Sequence, residues 1–182
     1  MVVSDSRPKK DNVNNGDIMS GETAIRSAKT GDFEEIITLF ESWAPHDWDK
    51  EFARKYFDHY FNDKRRESHD KVFVKIVSGK IVGVIGYVPD TYGTPGVFWL
   101  GWFYVQREEV GAGHGRDLLG YVIDKLRDAK ARKLYLDTST DELYLPARSL
   151  YESMGFGEEA TLNGYYGKGE AQLIYCLNLS AR

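Results

Sequence analysis

A glycine-rich segment lies in the middle of the chain, between strand-forming residues and helix-forming residues. It reads Val110-Gly111-Ala112-Gly113-His114-Gly115-Arg116. Glycines have no side chain, so an anion can approach the backbone, and the N–H groups at the start of a helix point toward it. These residue types at this spacing predict a loop that binds the phosphate groups of a cofactor.

The spacing of the glycines separates the cofactors that such a loop can bind. A nucleoside triphosphate loop needs Gly-Lys-Ser or Gly-Lys-Thr, whereas Gly115 is followed by Arg116 and Asp117. A dinucleotide loop needs Gly-x-Gly-x-x-Gly, whereas this segment has Gly-x-Gly-x-Gly, although Asp137 follows at the distance of a ribose-binding acid. The spacing therefore disfavours ATP and NAD, and taken alone it also fits a tight strand–helix connection.

Hydrophobic patterns predict the elements that must position this loop. The aromatic run 97–105 predicts a strand before it, and 117–130 predicts a helix after it, followed by a strand at 133–136. This order requires two parallel neighbours in one sheet. The other predicted elements are strands at 23–28, 71–77, 81–88, 157–161 and 171–179, and helices near 33–40, 50–62 and 145–153. We therefore predict an α/β fold with a mixed sheet and helices on its faces.

Composition is that of one globular domain. The chain has 182 residues, of which 42% are hydrophobic and 29% charged, with a net charge of −4. The charge disfavours nucleic-acid partners, and no apolar run approaches the ~20 residues of a membrane helix. Cys176 lies among apolar residues, which predicts a packed core thiol in a cytoplasmic protein. We expect residues 1–21 to form a disordered tail and residues 22–182 to form the domain.

Two separated segments share a known pattern. The first joins Phe103-Tyr104-Val105 to the glycine loop and Leu118-Leu119, and the second runs from Ala147 to Phe156 with the pattern Ala-x-x-Leu-Tyr-x-x-x-Gly-Phe. Together, and in this order, they resemble the acetyl-CoA motifs of the GNAT superfamily of N-acetyltransferases. The resemblance implies a single GNAT-like domain with a splayed pair of parallel strands and acetyl-CoA as acyl donor.

The resemblance also implies how the cofactor is bound. The backbone of residues 103–105 would pair with the pantetheine arm, and the loop amides would hold the pyrophosphate. Arg116 would add charge, as would Arg107 unless it is an ordinary surface arginine. The implied cofactor-binding residues are Phe103, Tyr104, Val105, Val110, Gly111, Ala112, Gly113, His114, Gly115 and Arg116.

Two positions depart from the family's pattern. Val110 stands where the family usually has Arg or Gln, so the loop must hold its phosphates mainly through the backbone. This departure keeps open a second hypothesis, a CoA-binding sensor or interaction protein without turnover. Tyr144 stands where many relatives carry a cofactor-contacting Asn, but Asp137-Thr138-Ser139 with Tyr144-x-Pro146-x-Arg148 resembles a GNAT subgroup that has this pattern.

Acetyl transfer to a primary amine by direct attack in a ternary complex needs a base, an oxyanion donor and an acid. Deprotonating an alkylamine of pKa ~10 at pH 7 costs roughly 4 kcal/mol. Tyr151 occupies the family's tyrosine position and is the implied acid for the leaving thiolate. Asp137 matches a carboxylate that some relatives use as base, with loop capping as the alternative, and an N–H near Val105 is the oxyanion donor. No metal is expected.

The acceptor side is expected to lie along residues 43–62. This stretch combines aromatic surface with acid, which suits an amine, although packing of the two helices explains it equally well. A loop at 165–169 would cover the opposite side. The acceptor is left open among small metabolites, amino acids and protein amines, and so is a homodimer. The residues of the expected wall are Trp43, Asp47, Trp48, Asp49 and Tyr56.

Overall fold

The computed structural model describes residues 22–43, 47–62 and 71–180, without the side chains of residues 47–49. The predicted tail of residues 1–21 lies outside these ranges, as do the side chains of Asp47, Trp48 and Asp49 from the expected acceptor wall. Within the described residues, no helix has the length and apolar character needed to cross a bilayer.

The described chain forms one α/β domain. Its strands are β1 Thr23–Ser27, β2 Lys71–Val77, β3 Lys80–Pro89, β4 Val97–Val105, β5 Lys133–Ser139, β6 Gly157–Gly167 and β7 Glu170–Asn178. Its helices are α1 Phe33–Glu41, α2 Asp47–Asn62, α3 His114–Asp128 and α4 Leu145–Ser153. The predicted bounds of β2, β4 and α4 are confirmed, whereas α3 begins three residues before the predicted Asp117 and β6 extends beyond the predicted Thr161.

The sheet is mixed, with the order β1-β2-β3-β4-β5-β7-β6. Only β4 and β5 run parallel, and they pair only from Val97–Trp99 to Lys133–Tyr135. Opposite Gly86 the register between β3 and β4 shifts, and such an irregularity bends a strand. Beyond Trp99, β4 therefore runs on to Val105 without β5 beside it, which confirms the predicted splayed pair.

Helices cover both faces of the sheet, as predicted. Helices α3 and α4 pack on one face, where α3 buries the five residues predicted to face inward: Leu118, Leu119, Val122, Ile123 and Leu126. Helices α1 and α2 pack on the other face, over residues of β2, β3 and β4. Phe73 and Val74 of β2 contribute to opposite clusters, as alternating strand residues must. The second cluster contains no residue of β5, β6 or β7.

The thiol of Cys176 is packed in the sheet, as predicted. Its residue on β7 is 7% exposed. Burial raises the pKa of this thiol, which keeps it protonated and unreactive at neutral pH.

An ion pair between a buried ammonium and an exposed carboxylate holds the first turn of α3 on the sheet. The Lys75 side chain is 3% exposed and its ammonium bonds the carboxylate of Asp117, which is 58% exposed. Gly83 lies beside Lys75 in register, and a Cβ there would come within 2.7 Å of Leu118 Cδ1. The bare backbone of Gly83 therefore lets α3 approach the sheet, and the ion pair fixes the helix start that follows the glycine loop.

We expect Asp117→Ala to destabilise the protein much more than Lys75→Met. Loss of the carboxylate leaves the ammonium of Lys75 buried without a partner, at a cost of about 3 kcal/mol. Loss of the ammonium leaves a carboxylate that water can hydrate, at a cost below about 1 kcal/mol. Urea unfolding measures both values, and the double variant should recover most of the loss. Equal losses in the two single variants would contradict the asymmetry.

Candidate active site

The glycine loop presents free backbone donors at the start of α3. Gly111 and Gly113 both have φ +89°, a left-handed conformation that favours glycine, and Gly113 is the N-cap of α3. No side chain caps this helix, so its first N–H groups have no side-chain acceptor. Val110, beside them, is 50% exposed. An uncapped helix start behind an exposed glycine loop could hold a pyrophosphate through its N–H groups, the role that the family resemblance implies.

We expect Gly113→Ala to weaken binding of CoA and to destabilise the fold by about 1–2 kcal/mol. No atom lies within 4 Å of a Cβ built at this position, so the penalty arises from the positive φ alone. The matched control is Gly31→Ala, which has the same free space without a positive φ. Urea unfolding and calorimetry with CoA measure the two effects. A neutral Gly113→Ala would show that the loop adopts another conformation in solution.

Three polar side chains around the loop, those of Arg116, Arg107 and His114, have different partners. Arg116 Nη2 donates to Ser153 Oγ at 2.7 Å and so joins α3 to α4. The Arg107 guanidinium lies 4.6 Å from the ring centroid of Trp43, on the side of α1. His114 Nε2 is 3.2 Å from Glu109 Oε2, and its Nδ1 is buried without a partner. The guanidinium of Arg116 is therefore bonded toward α4, at the end of the loop, whereas that of Arg107 lies over Trp43.

The open edge of β4 carries the polar groups expected to face the pantetheine arm. Gln106 N donates to Val82 O, and the carbonyl of Tyr104 lies toward Gly83, so these residues face β3. By alternation, the N–H and C=O groups of Phe103 and Val105 face the gap left by β5. The Val105 carbonyl already accepts from Trp43 Nε1 at 2.7 Å. Among the described residues, no backbone partner binds the Val105 N–H or either group of Phe103 on that side.

Tyr151 places a phenol among the elements that border the gap. It lies in the second half of α4, is 7% exposed, and packs against Phe103, Phe156 and Tyr175. Its hydroxyl forms no hydrogen bond with any described residue. Burial raises the pKa of Tyr151, and the nearby Tyr104, Asp137 and Tyr144 raise it further. These three residues come from β4, β5 and the turn before α4, so they converge on the phenol.

Asp137 is an exposed carboxylate near the end of β5. Its Oδ2 accepts from Gln172 Nε2 at 2.9 Å, and the Tyr166 hydroxyl is 3.5 Å away. Its Oδ1 takes no hydrogen bond from the part of the chain that the structure describes. Burial, with the charge of Asp137, raises the pKa of Tyr166 to about 12, so this phenol stays protonated. The sequence patterns did not indicate Gln172 as a partner of Asp137.

The family of the chain follows from its sequence together with this arrangement. Residues 33–156 match the family model of the GNAT acetyltransferases. The chain belongs to the GNAT acetyltransferase family. It is therefore an acyltransferase, as the two motifs predicted. No curated protein matches its sequence.

Solved structures show the same GNAT fold. A GNAT-family protein from Desulfovibrio desulfuricans is 25% identical, with a TM-score of 0.79 over 87% of this chain and 100% of its own. The ribosomal-protein-S18-alanine N-acetyltransferase of Escherichia coli is 22% identical, with a TM-score of 0.71 over 88% and 96%. An aminoglycoside 6'-N-acetyltransferase solved with coenzyme A is 14% identical, with a TM-score of 0.69 over 87% and 98%.

In this GNAT acetyltransferase, Arg148 joins the end of β5 to α4. Its Nη1 donates to Ser139 O at 2.6 Å and to Asp141 O at 2.8 Å. The turn is also bonded to β7, because Thr140 N donates to Ala171 O. These bonds give a physical reason for the arginine of the Tyr-x-Pro-x-Arg pattern, since they tie the end of β5, the strand of Asp137, to α4, the helix of Tyr151.

Some residues of the expected acceptor wall of this GNAT enzyme pack the helices α1 and α2 against the sheet. The Trp43 indole bonds Val105, and the ring of Tyr56 packs 5.2 Å from Trp102. Phe52 packs 5.8 Å from Trp102 and is nevertheless 61% exposed. The contacts of Trp43 and Tyr56 are those of residues that pack the helices. Phe52, in contrast, leaves much of its ring exposed to solvent.

Proposed function

We propose that the protein transfers an acetyl group from acetyl-CoA to a primary amine by direct attack in a ternary complex. The observation that supports this most strongly is the phenol of Tyr151, which is 7% exposed, forms no hydrogen bond with a described residue and lies within electrostatic reach of Asp137. Burial raises the pKa of this phenol, and the neighbouring Tyr104, Asp137 and Tyr144 raise it further. Groups with a strongly perturbed pKa are typical of functional sites.

The donor fits the groups that the loop and β4 present. The uncapped start of α3 would hold the pyrophosphate through its N–H groups, and the edge of β4 would hold the pantetheine arm. Acetyl-CoA supplies an activated acyl group. The Val105 N–H faces the gap and is the candidate donor to the oxyanion. The carbonyl of the same residue accepts a hydrogen bond from Trp43, which holds the backbone in place there.

The proton transfers are assigned to two side chains. Asp137 takes one proton from the substrate ammonium, directly or through water, because its Oδ1 accepts no hydrogen bond from the described residues and solvent reaches it. The neutral amine then attacks the acetyl carbon, and its nitrogen loses a second proton to water as the intermediate collapses. Tyr151 donates its proton to the sulfur as the C–S bond breaks. The raised pKa of Tyr151 keeps it protonated before the reaction, and the same dry surroundings make a thiolate a stronger base than in water.

Calorimetry with acetyl-CoA, ATP and NAD, followed by thiol release with a panel of amines, tests the proposal. We expect binding of acetyl-CoA alone and amine-dependent release of CoA. Binding of ATP or NAD in its place would refute the proposed cofactor. Binding of CoA without turnover on any amine or peptide would support the non-catalytic alternative, for which the exposed Val110 is the relevant feature.

A further inference from the structure

Two side chains that flank the glycine loop contact each other. Glu109 precedes the loop and His114 is the first residue of α3, so residues 110–113 lie between them. His114 Nε2 is 3.2 Å from Glu109 Oε2, and the backbone carbonyl of Glu109 accepts from Ala112 N at 3.2 Å. Residues 110–113 are all exposed. The contact between Glu109 and His114 therefore closes the loop at its base.

The buried nitrogen of His114 decides which ring nitrogen carries the proton. The His114 side chain is 13% exposed, and its Nδ1 is buried without a hydrogen-bond partner among the described residues. A proton on Nδ1 would bury an N–H group that has no acceptor. In the neutral ring the proton therefore lies on Nε2 and is donated to the carboxylate of Glu109. A hydrogen bond to a charged acceptor is stronger than one between neutral groups.

The shape of this loop matters because it must hold phosphates mainly through backbone N–H groups. Val110 supplies no polar side chain, so affinity depends on how well the N–H groups are arranged before binding. Gly111 and Gly113 lose more conformational freedom than other residues when they are fixed at φ +89°. A loop that is already closed loses less entropy when the ligand binds.

We propose that His114 and Glu109 are positioning residues that keep the glycine loop in the conformation that binds the pyrophosphate of CoA. This inference rests on the proposed acetyl-CoA-dependent function. The ring of His114 does not itself bind a phosphate, because its Nε2 bonds Glu109 and its Nδ1 is buried. The pair also accounts for a carboxylate next to an anion-binding loop, since its charge alone would repel the pyrophosphate.

The sign of the change in CoA affinity separates this role from a simple charge effect. Calorimetry with the full-length protein measures the Kd of CoA for Glu109→Ala and for the matched control Glu108→Ala. The exposed carboxylate of Glu108 forms no hydrogen bond or ion pair with a described residue. Loss of its charge should leave CoA binding equal or slightly tighter.

Glu109→Ala, in contrast, should bind CoA about tenfold more weakly, as for the loss of a hydrogen bond to a charged group. The carboxylate is 41% exposed, so the variant should fold normally. Equal or tighter binding of CoA by Glu109→Ala would overturn the proposal, because the charge would then be its only influence on the loop.

Variants of His114 test whether the two side chains act as a pair. His114→Leu should also weaken CoA about tenfold, whereas His114→Gln keeps an N–H donor and should retain most of the affinity. The double variant Glu109→Ala with His114→Leu should bind CoA no more weakly than either single variant, because both changes remove the same bond. Additive losses would refute the pairing.

A shorter donor tests whether the effect arises at the pyrophosphate. S-acetylpantetheine carries the acetyl group and the pantetheine arm without the pyrophosphate. Glu109→Ala should lower kcat/KM for acetyl-CoA about tenfold and leave that for S-acetylpantetheine nearly unchanged. Equal losses with both donors would refute the positioning role while acetylation continues. Failure of the wild type to bind CoA would refute the proposed function itself.

Discussion

Replacing Tyr151 with phenylalanine is expected to lower kcat about 100-fold or more and to leave the affinity for CoA nearly unchanged. The substitution removes only the hydroxyl, which forms no hydrogen bond with the described residues, so no folded-state bond is lost. The ring keeps its contacts with Phe103 and Phe156. Thiol release measures kcat, and calorimetry measures the affinity for CoA.

Tyr175→Phe is the matched control for this prediction. Tyr175 is also buried in the cluster under α4, but its hydroxyl donates to Glu152 Oε1 at 3.1 Å. Its loss should cost about 1 kcal/mol of stability and leave kcat within a few-fold. If both variants lower kcat equally, the effect comes from packing and the acid role of Tyr151 is wrong.

The pH dependence of kcat gives a second check on Tyr151. Its pKa is raised above the usual ~10 by burial, so the phenol holds its proton between about pH 7 and pH 9. Deprotonation of Tyr151 should therefore cause no fall in kcat across that pH range. A fall with a midpoint near pH 8 would mean that another group supplies the proton.

The sequence predicted correctly the elements that have a strong signal in their own residues. Strand β4 and helix α4 have the predicted bounds because one is a continuous aromatic run and the other has Pro146 in its first turn and ends before Gly155, which has φ +91°. The start of α3 was placed too late because Gly115 is a poor helix former. Glycine nevertheless suits position 115, because a Cβ there would lie 3.3 Å from Leu150 and 3.5 Å from Phe103. These contacts come from the tertiary structure and have no local sequence signal.

The candidate site residues were predicted from the two family motifs and from the end of the parallel strand. Tyr151 and the loop lie in the two motifs, and Asp137 lies at the end of the parallel strand. The contacts that complete the site join residues far apart in sequence, such as Trp43 with Val105 and Asp137 with Gln172. No periodicity or spacing in the sequence indicates either contact. Asp137 and Gln172, for example, come together only because the sheet places β7 beside β5.

Asp137→Asn is expected to lower kcat/KM about 100-fold near pH 7, with a loss that shrinks as the pH rises. A base is needed because the amine is protonated at neutral pH, and near pH 10 about half of an alkylamine is already free. The variant should therefore approach the wild type at high pH. Asparagine keeps the size of the side chain and an oxygen that accepts from Gln172, so the local structure is retained.

Asp141→Asn is the matched control, because it removes the same charge four residues later in the chain without removing the proposed base. The Asp141 carboxylate accepts from Leu143 N at the turn before α4, a capping role that asparagine fills equally well. Its activity should follow the wild-type pH profile. A loss in Asp137→Asn that is constant with pH would indicate that Asp137 only positions Gln172 and Tyr166. A loss that shrinks toward the amine pKa can arise only from a group that handles the proton of the acceptor.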